Sequence, residues 1–131
     1  MEKTLLTNKK GLEKMKFLND THEKNYHEVM VKMRNKDEYH KSVAYLLTLD
    51  AVCFRHINQL FDFMESCIRP DGIDAEWQTG TSRQTTRLMF NLWNGYKDEM
   101  TTPDNLFCSD YAPYYWQAIC LRFPWQCGGD A

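Results

Sequence analysis

Residues 38–65 constrain the fold of this chain more than any other stretch. Val43, Leu46, Leu47, Phe54, Ile57, Phe61 and Met64 recur at helical spacing and make one apolar stripe, while Tyr39, Leu46, Cys53 and Leu60 make a second. A helix apolar over so much of its surface belongs inside a bundle, with other helices around it. The segment reads as one long helix or as two, broken near Thr48-Leu49-Asp50, where Asp50 would cap the second. Asp50 stands inside the first stripe, and a buried carboxylate needs a partner. Arg87 or Arg55 supplies it, and the expected buried polar pair is Asp50 with Arg87.

The flanking stretches supply the surrounding helices. Asn19 or Asp20 caps a helix over about 20–35, with Tyr26, Val29, Met30 and Met33 on its apolar side. His22 and His27 on that helix are expected to face solvent. Pro70-Asp71-Gly72 marks a break, and residues 70–81 read as a connecting loop that presents Trp77. A helix from Ser82 to Asn94 follows, with Leu88, Met89, Leu92 and Trp93 on its core face and Gly95 at its left-handed cap. A short turn opens at Pro103, and a last helix covers about 111–122 and stops before Pro124. Leu47, Phe54, Ile57, Leu88, Leu92, Trp93 and Trp116 are the expected core. The fold predicted is all-α: a single compact domain of five or six helices around the central hydrophobic helix. Residues 1–18 form an N-terminal extension, 19–125 the helical domain and 126–131 a loose tail. Met15 is an alternative start to Met1, or else it lies in a short N-terminal helix.

Charge narrows the function classes. A net charge of −2 on 131 residues argues against both a strongly basic nucleic-acid binder and an acidic nucleic-acid mimic. The distribution is uneven: residues 1–41 carry ten Lys/Arg against seven Asp/Glu, and residues 42–131 carry six against eleven. Five cysteines without a C-x-x-C point to reduced thiols and a cytoplasmic setting, and no histidine stands at zinc-finger spacing from a cysteine pair. No apolar run is long enough for a membrane helix.

The chemistry-bearing motifs are few. Thr79-Gly80-Thr81-Ser82-Arg83 places hydroxyls, backbone amides and a cation at a helix start, where the helix dipole favours an anion. The same residues also make an ordinary cap through Thr81 or Ser82, and they lack the glycine spacing and lysine of a P-loop. Arg83 with Lys32 and Lys36 completes the candidate binding surface, which combines the basic N-terminal third with this turn. Trp77, Tyr114 and Trp125 form a second candidate face, through stacking or through filling a partner's pocket. Ser42, Ser66, Ser82 and Ser109 lack a nucleophile-elbow motif, and none of the four histidines is read as catalytic. No cofactor or metal is expected.

Five stretches carry a resemblance: 39–50 (YHKSVAYLLTLD), 77–82 (WQTGTS), 87–95 (RLMFNLWNG), 109–116 (SDYAPYYW) and 121–124 (LRFP). Over about residues 17–125 the chain resembles an uncharacterised family of short bacterial proteins often carried on conjugative elements and phages. The resemblance implies a domain of unknown function and no catalytic residues to carry over. It also implies a genomic setting in which small proteins antagonise host defences such as CRISPR or restriction systems. The expectation is therefore a non-catalytic binding protein, an inhibitor of a defence protein such as a CRISPR effector. Its partner would be macromolecular, a host protein or a ribonucleoprotein, with nucleic acid as a further partner and no membrane. The alternative is a binder of a nucleotide or other phosphorylated ligand at Thr79–Arg83.

Overall fold

A computed structural model describes residues 15–128. The extension assigned to 1–18 and the tail assigned to 126–131 lie outside the described residues at 1–14 and 129–131. Over residues 15–128 the chain is mainly helical, with four helices of eleven to fifteen residues (α1, Asp20–Lys32; α2, Glu38–Leu49; α5, Gly80–Asn94; α7, Ala112–Arg122) and three of four or five. None is long and apolar enough to cross a membrane.

α1 (Asp20–Lys32) starts at Asn19, whose side chain accepts the backbone N–H of His22 at 2.8 Å. It ends at Met33, where Lys36 Nζ donates to the carbonyls of Met30 and Met33. A cation at those free carbonyls stabilises the helix end. α2 (Glu38–Leu49) starts at Asp37, which accepts the N–H of His40 at 2.9 Å. Every residue from Ser42 to Leu49 is buried, because α2 is the member that α1, α5 and α7 all pack around.

The break near Asp50 is real. Asp50 takes an extended conformation and its Oδ2 accepts the N–H groups of Val52 and Cys53, which start α3 (Ala51–Arg55). α4 (Ile57–Leu60) then gives way to a two-stranded hairpin that the sequence pattern does not reveal. β1 (Phe61–Asp62) pairs antiparallel with β2 (Cys67–Ile68), with Phe61 opposite Ile68 and Asp62 opposite Cys67. Strands of two residues are too short to show alternation. Met64 sits at the hairpin tip, 79 % exposed rather than on the apolar stripe.

A 3-10 turn, Pro70–Asp74, packs the chain back on α4. Gly72 is required there: a Cβ would stand 2.5 Å from the Gln59 carbonyl oxygen and 2.6 Å from a Leu60 methyl. α5 (Gly80–Asn94) is capped by Thr79 and stops at Gly95, which adopts φ 87°. A second 3-10 turn (Glu99–Thr101), α6 (Pro103–Leu106) and α7 (Ala112–Arg122) complete the fold.

The expected Asp50–Arg87 pair does not form. Asp50 turns to its own helix start and accepts from the Tyr111 hydroxyl at 3.1 Å through its other oxygen. Arg87 instead donates from Nε to Asp98 (2.8 Å), from Nη2 to Asp74 (2.9 Å) and from Nη1 to the Ile73 carbonyl (3.1 Å). The helix break explains the difference: once α2 ends, the nearest donors to the Asp50 carboxylate are the free first-turn amides of α3. Of the expected core, Leu47, Leu88 and Leu92 are buried, whereas Phe54, Ile57 and Trp93 are half-buried and Trp116 is 49 % exposed.

Candidate functional site

The Thr79 turn is closed on itself. Thr79 N–H donates to Ser82 Oγ (2.7 Å), Ser82 N–H donates to Thr79 Oγ1 (3.5 Å), and Ser82 Oγ donates to Gln78 Oε1 (2.6 Å). Ser82 is fully buried. Two of the three hydroxyls that would hold an anion, on Thr79 and Ser82, are thus engaged in a capping box. Only Thr79, Gly80 and Thr81 are exposed, and Arg83 is half-buried with an unpartnered Nε. Lys32 and Lys36 are remote from this turn. Lys32 lies over Phe63, Phe63 packs on Phe61, and Phe61 packs on Trp93 near the other end of α5. Thirteen residues of helix separate Trp93 from Gly80, about 20 Å at roughly 1.5 Å per residue. Lys36, moreover, caps α1. The predicted surface of Thr79, Thr81, Ser82, Arg83, Lys32 and Lys36 is therefore not brought together.

Two arrangements take its place. The first is the outer side of α7. Its inner side buries Tyr115 and Ala118 completely, with the Tyr115 hydroxyl 2.8 Å from Thr85 Oγ1. Burial pushes that phenol up to about 12. On the outer side stand Trp116 (49 % exposed) and Phe123 (36 %), two helical turns apart. Phe107 packs beside Trp116 at 6.4 Å between ring centroids, and Trp125 follows at 68 % exposed. Arg122 lies over the Tyr39 ring (3.7 Å) and the Phe123 ring (4.4 Å) while its Nε donates to the Leu92 carbonyl. Of the aromatics singled out in the sequence, Trp125 is exposed two residues beyond Phe123 and Tyr114 is half-buried. Trp77 is held inward: it stacks on His56 at 4.1 Å and donates to Gln59 Oε1.

The second arrangement joins three separate segments. His40 Nδ1 lies 2.7 Å from Asp37 Oδ1, and His40 Nε2 lies 2.8 Å from Ser66 Oγ. The His40 ring is wedged edge-on against Trp93 (5.0 Å) and Phe61 (6.0 Å), which fixes its plane. Ser66 stands in the hairpin with φ 59°, a left-handed conformation uncommon for a residue with a Cβ. Its N–H donates to the Asp62 carbonyl at 2.7 Å, and Met64 and Glu65 N–H donate to the Asp62 carboxylate. Ser66 Oγ donates to the Asn35 side-chain oxygen at 3.0 Å, and Arg34 donates to the Met64 carbonyl. Burial works against ionisation of Asp37, but the hydrogen bonds and charge of His40 prevail and hold its carboxyl below the ordinary value.

Sequence reasoning passed over this chain of groups. Asp37 and His40 are three residues apart, a spacing that signals a cap; Ser66 is twenty-six residues further on, and only the hairpin brings it back. The nearest sequence signal was Asp37 itself, an aspartate at a helix start with a histidine at the third helical position.

The model of DUF6075, a family of unknown function, matches residues 12–130. No curated protein and no solved structure matches the chain. The matched region covers the described helices, the α7 face and the Asp37–His40–Ser66 chain alike, and the protein belongs to this family of unknown function, DUF6075.

Proposed function

We propose that the protein acts by binding a macromolecular partner through the outer face of α7. The observation that carries this reading is the concentration of Phe107, Trp116, Phe123 and Trp125, each at least 36 % exposed, on one helix and its flanks. Clustered exposed aromatics mark contact surfaces, and tryptophan with arginine supplies much of the binding energy where proteins meet. Arg122, braced by Tyr39 and Phe123, adds one fixed cation to an otherwise apolar patch. A folded protein with an apolar groove and an acidic rim fits that chemistry.

The wider reading, a mobile-element protein that blocks a cytoplasmic host-defence protein such as a CRISPR effector, rests on the resemblance to chains carried by conjugative elements and phages. The anion-binding reading of Thr79–Arg83 has less support, because the Thr79 and Ser82 hydroxyls already close the α5 cap. The test compares two variants in pull-down from bacterial lysate followed by titration against the recovered partner. Trp116→Ser with Trp125→Ser should weaken binding about thirtyfold or more. The triple change Arg83→Glu, Lys32→Glu and Lys36→Glu should leave it nearly intact. The reverse ranking overturns the assignment of the face.

A further inference from the structure

We propose that Ser66 is a nucleophile, activated by His40 and Asp37, that accepts an acyl group from an activated carboxylic ester. The proton positions follow from the partners. Nδ1 of His40 faces a carboxylate, which can only accept, so Nδ1 carries the proton. In the neutral imidazole Nε2 is then a bare acceptor, and the hydroxyl that faces it at 2.8 Å is Ser66. In the structure Ser66 Oγ donates to Asn35 Oδ1; a half-turn of the Asn35 amide, whose two ends occupy the same space, puts an N–H there instead and frees the serine proton for Nε2. With the Asn35 amide turned to donate, the serine proton points at the imidazole, as general-base activation of a nucleophile requires.

Preorganisation supports the same reading. The His40 ring is buried and held by Trp93 and Phe61, so its Nε2 stays aimed at the serine. Ser66 itself is half-buried, but its hydroxyl bond to Asn35 lies at the surface, and a small ester reaches the hydroxyl from that side. In the step, Ser66 Oγ attacks the ester carbonyl carbon as its proton passes to His40 Nε2, and Asp37 stabilises the imidazolium. The tetrahedral intermediate collapses, the carbon–oxygen bond to the leaving group breaks, and the leaving oxygen takes the proton from Nε2. Water repeats the sequence on the acyl-serine, which releases the carboxylic acid and restores Ser66.

The substrate class follows from what the site does not offer. The N–H groups of Met64, Glu65 and Ser66 all donate to Asp62 and are not free to hold an oxyanion. That leaves the Asn35 amide, once turned with its N–H towards Ser66, as the donor there. With weak oxyanion stabilisation, the site suits an ester with a good leaving group, such as an aryl ester, and not a peptide amide.

The full chain is incubated with p-nitrophenyl acetate and, separately, with a fluorophosphonate probe, and the peptide containing Ser66 is weighed by mass spectrometry over time. The expected result is a single acetyl or phosphonyl group on Ser66. Ser66→Gly, which suits the left-handed backbone and keeps the turn, should show none. His40→Gln should slow modification about a hundredfold. Asp37→Asn keeps the helix cap but removes the charge that stabilises the imidazolium, and should slow it about tenfold or more. Circular dichroism checks each fold, and Asp37→Asn decides alone if His40→Gln unfolds. No modification of Ser66 in the natural chain, or modification as fast in Asp37→Asn as in the natural chain, overturns the proposal.

Discussion

His22 and His40 occupy the same place in two successive helices. Each sits three residues after an Asx cap, each returns its backbone N–H to that cap, and each ring is buried, at 2 % and 6 % exposed. Their rings nevertheless meet opposite chemistry. Nδ1 of His22 accepts the Leu18 N–H at 3.1 Å, which leaves Nε2 to donate to the Tyr45 carbonyl at 3.0 Å. Both nitrogens are tied to backbone, and burial holds its pKa below the ordinary 6.5 against the opposing pull of the Tyr45 bond. His40 has a carboxylate on Nδ1 and a hydroxyl on Nε2. At α1 the cap is an asparagine whose oxygen serves the backbone; at α2 it is an aspartate whose charge also reaches the ring. The same local motif thus builds a brace in one helix and a basic nitrogen facing a hydroxyl in the next.

The largest effect that separates the two concerns stability. His22→Ala removes a packed ring and strands the Leu18 N–H, while the Tyr45 carbonyl keeps the Thr48 hydroxyl, so it should cost about 2–4 kcal/mol in urea unfolding. A loss under about 1 kcal/mol would mean that His22 is no brace. Acidification sharpens the contrast. Unfolded, His22 titrates near 6.5, while folded it is held lower. Between those values the unfolded chain binds a proton that the folded one refuses, so the contribution of His22 is complete above 6.5 and is lost as pH falls below it. The melting temperature should decline there, and His22→Gln should remove that decline. Asp37, depressed from 3.8, loses its own contribution only as pH falls below that ordinary value, a separate and more acidic window.

Exchanging the caps gives a smaller shift. Asn19→Asp and Asp37→Asn should each change stability by no more than about 1 kcal/mol, since both residues cap well. Only the second should alter the reactivity of Ser66; an equal effect from the first would erase the distinction. The smallest expected effect is a null coupling. Asp50→Asn and Arg87→Lys should be additive within about half a kcal/mol, because the two side chains share no partner.

Much of this fold could be read from the residues. The apolar stripes of 38–65 mark α2 as central, Asp50 signals the break, and Gly95 ends α5 where a left-handed cap is needed. What escaped depends on contacts between distant segments. Tyr115 and Trp116 are adjacent aromatics on one helix, and periodicity alone does not say which faces inward; the Thr85 hydroxyl that receives Tyr115 lies thirty residues away. Two-residue strands leave no pattern, so the hairpin that returns Ser66 to His40 was hidden. The Thr79 turn was visible because its residues are contiguous, and for the same reason its hydroxyls satisfy one another. Helical spacing pairs Arg87 with Asp50, the wrong carboxylate, because Asp74 and Asp98 lie in irregular segments whose position no helical spacing gives.

The most direct measurement is the tautomer of the two imidazoles, read from their ring nitrogens by long-range nitrogen–proton NMR on the full chain at mildly alkaline pH. His22 should carry its proton on Nε2, facing Tyr45, and His40 on Nδ1, facing Asp37. A shared tautomer, with both protons on Nε2, would leave Ser66 facing a donor and contradict the distinction between brace and base.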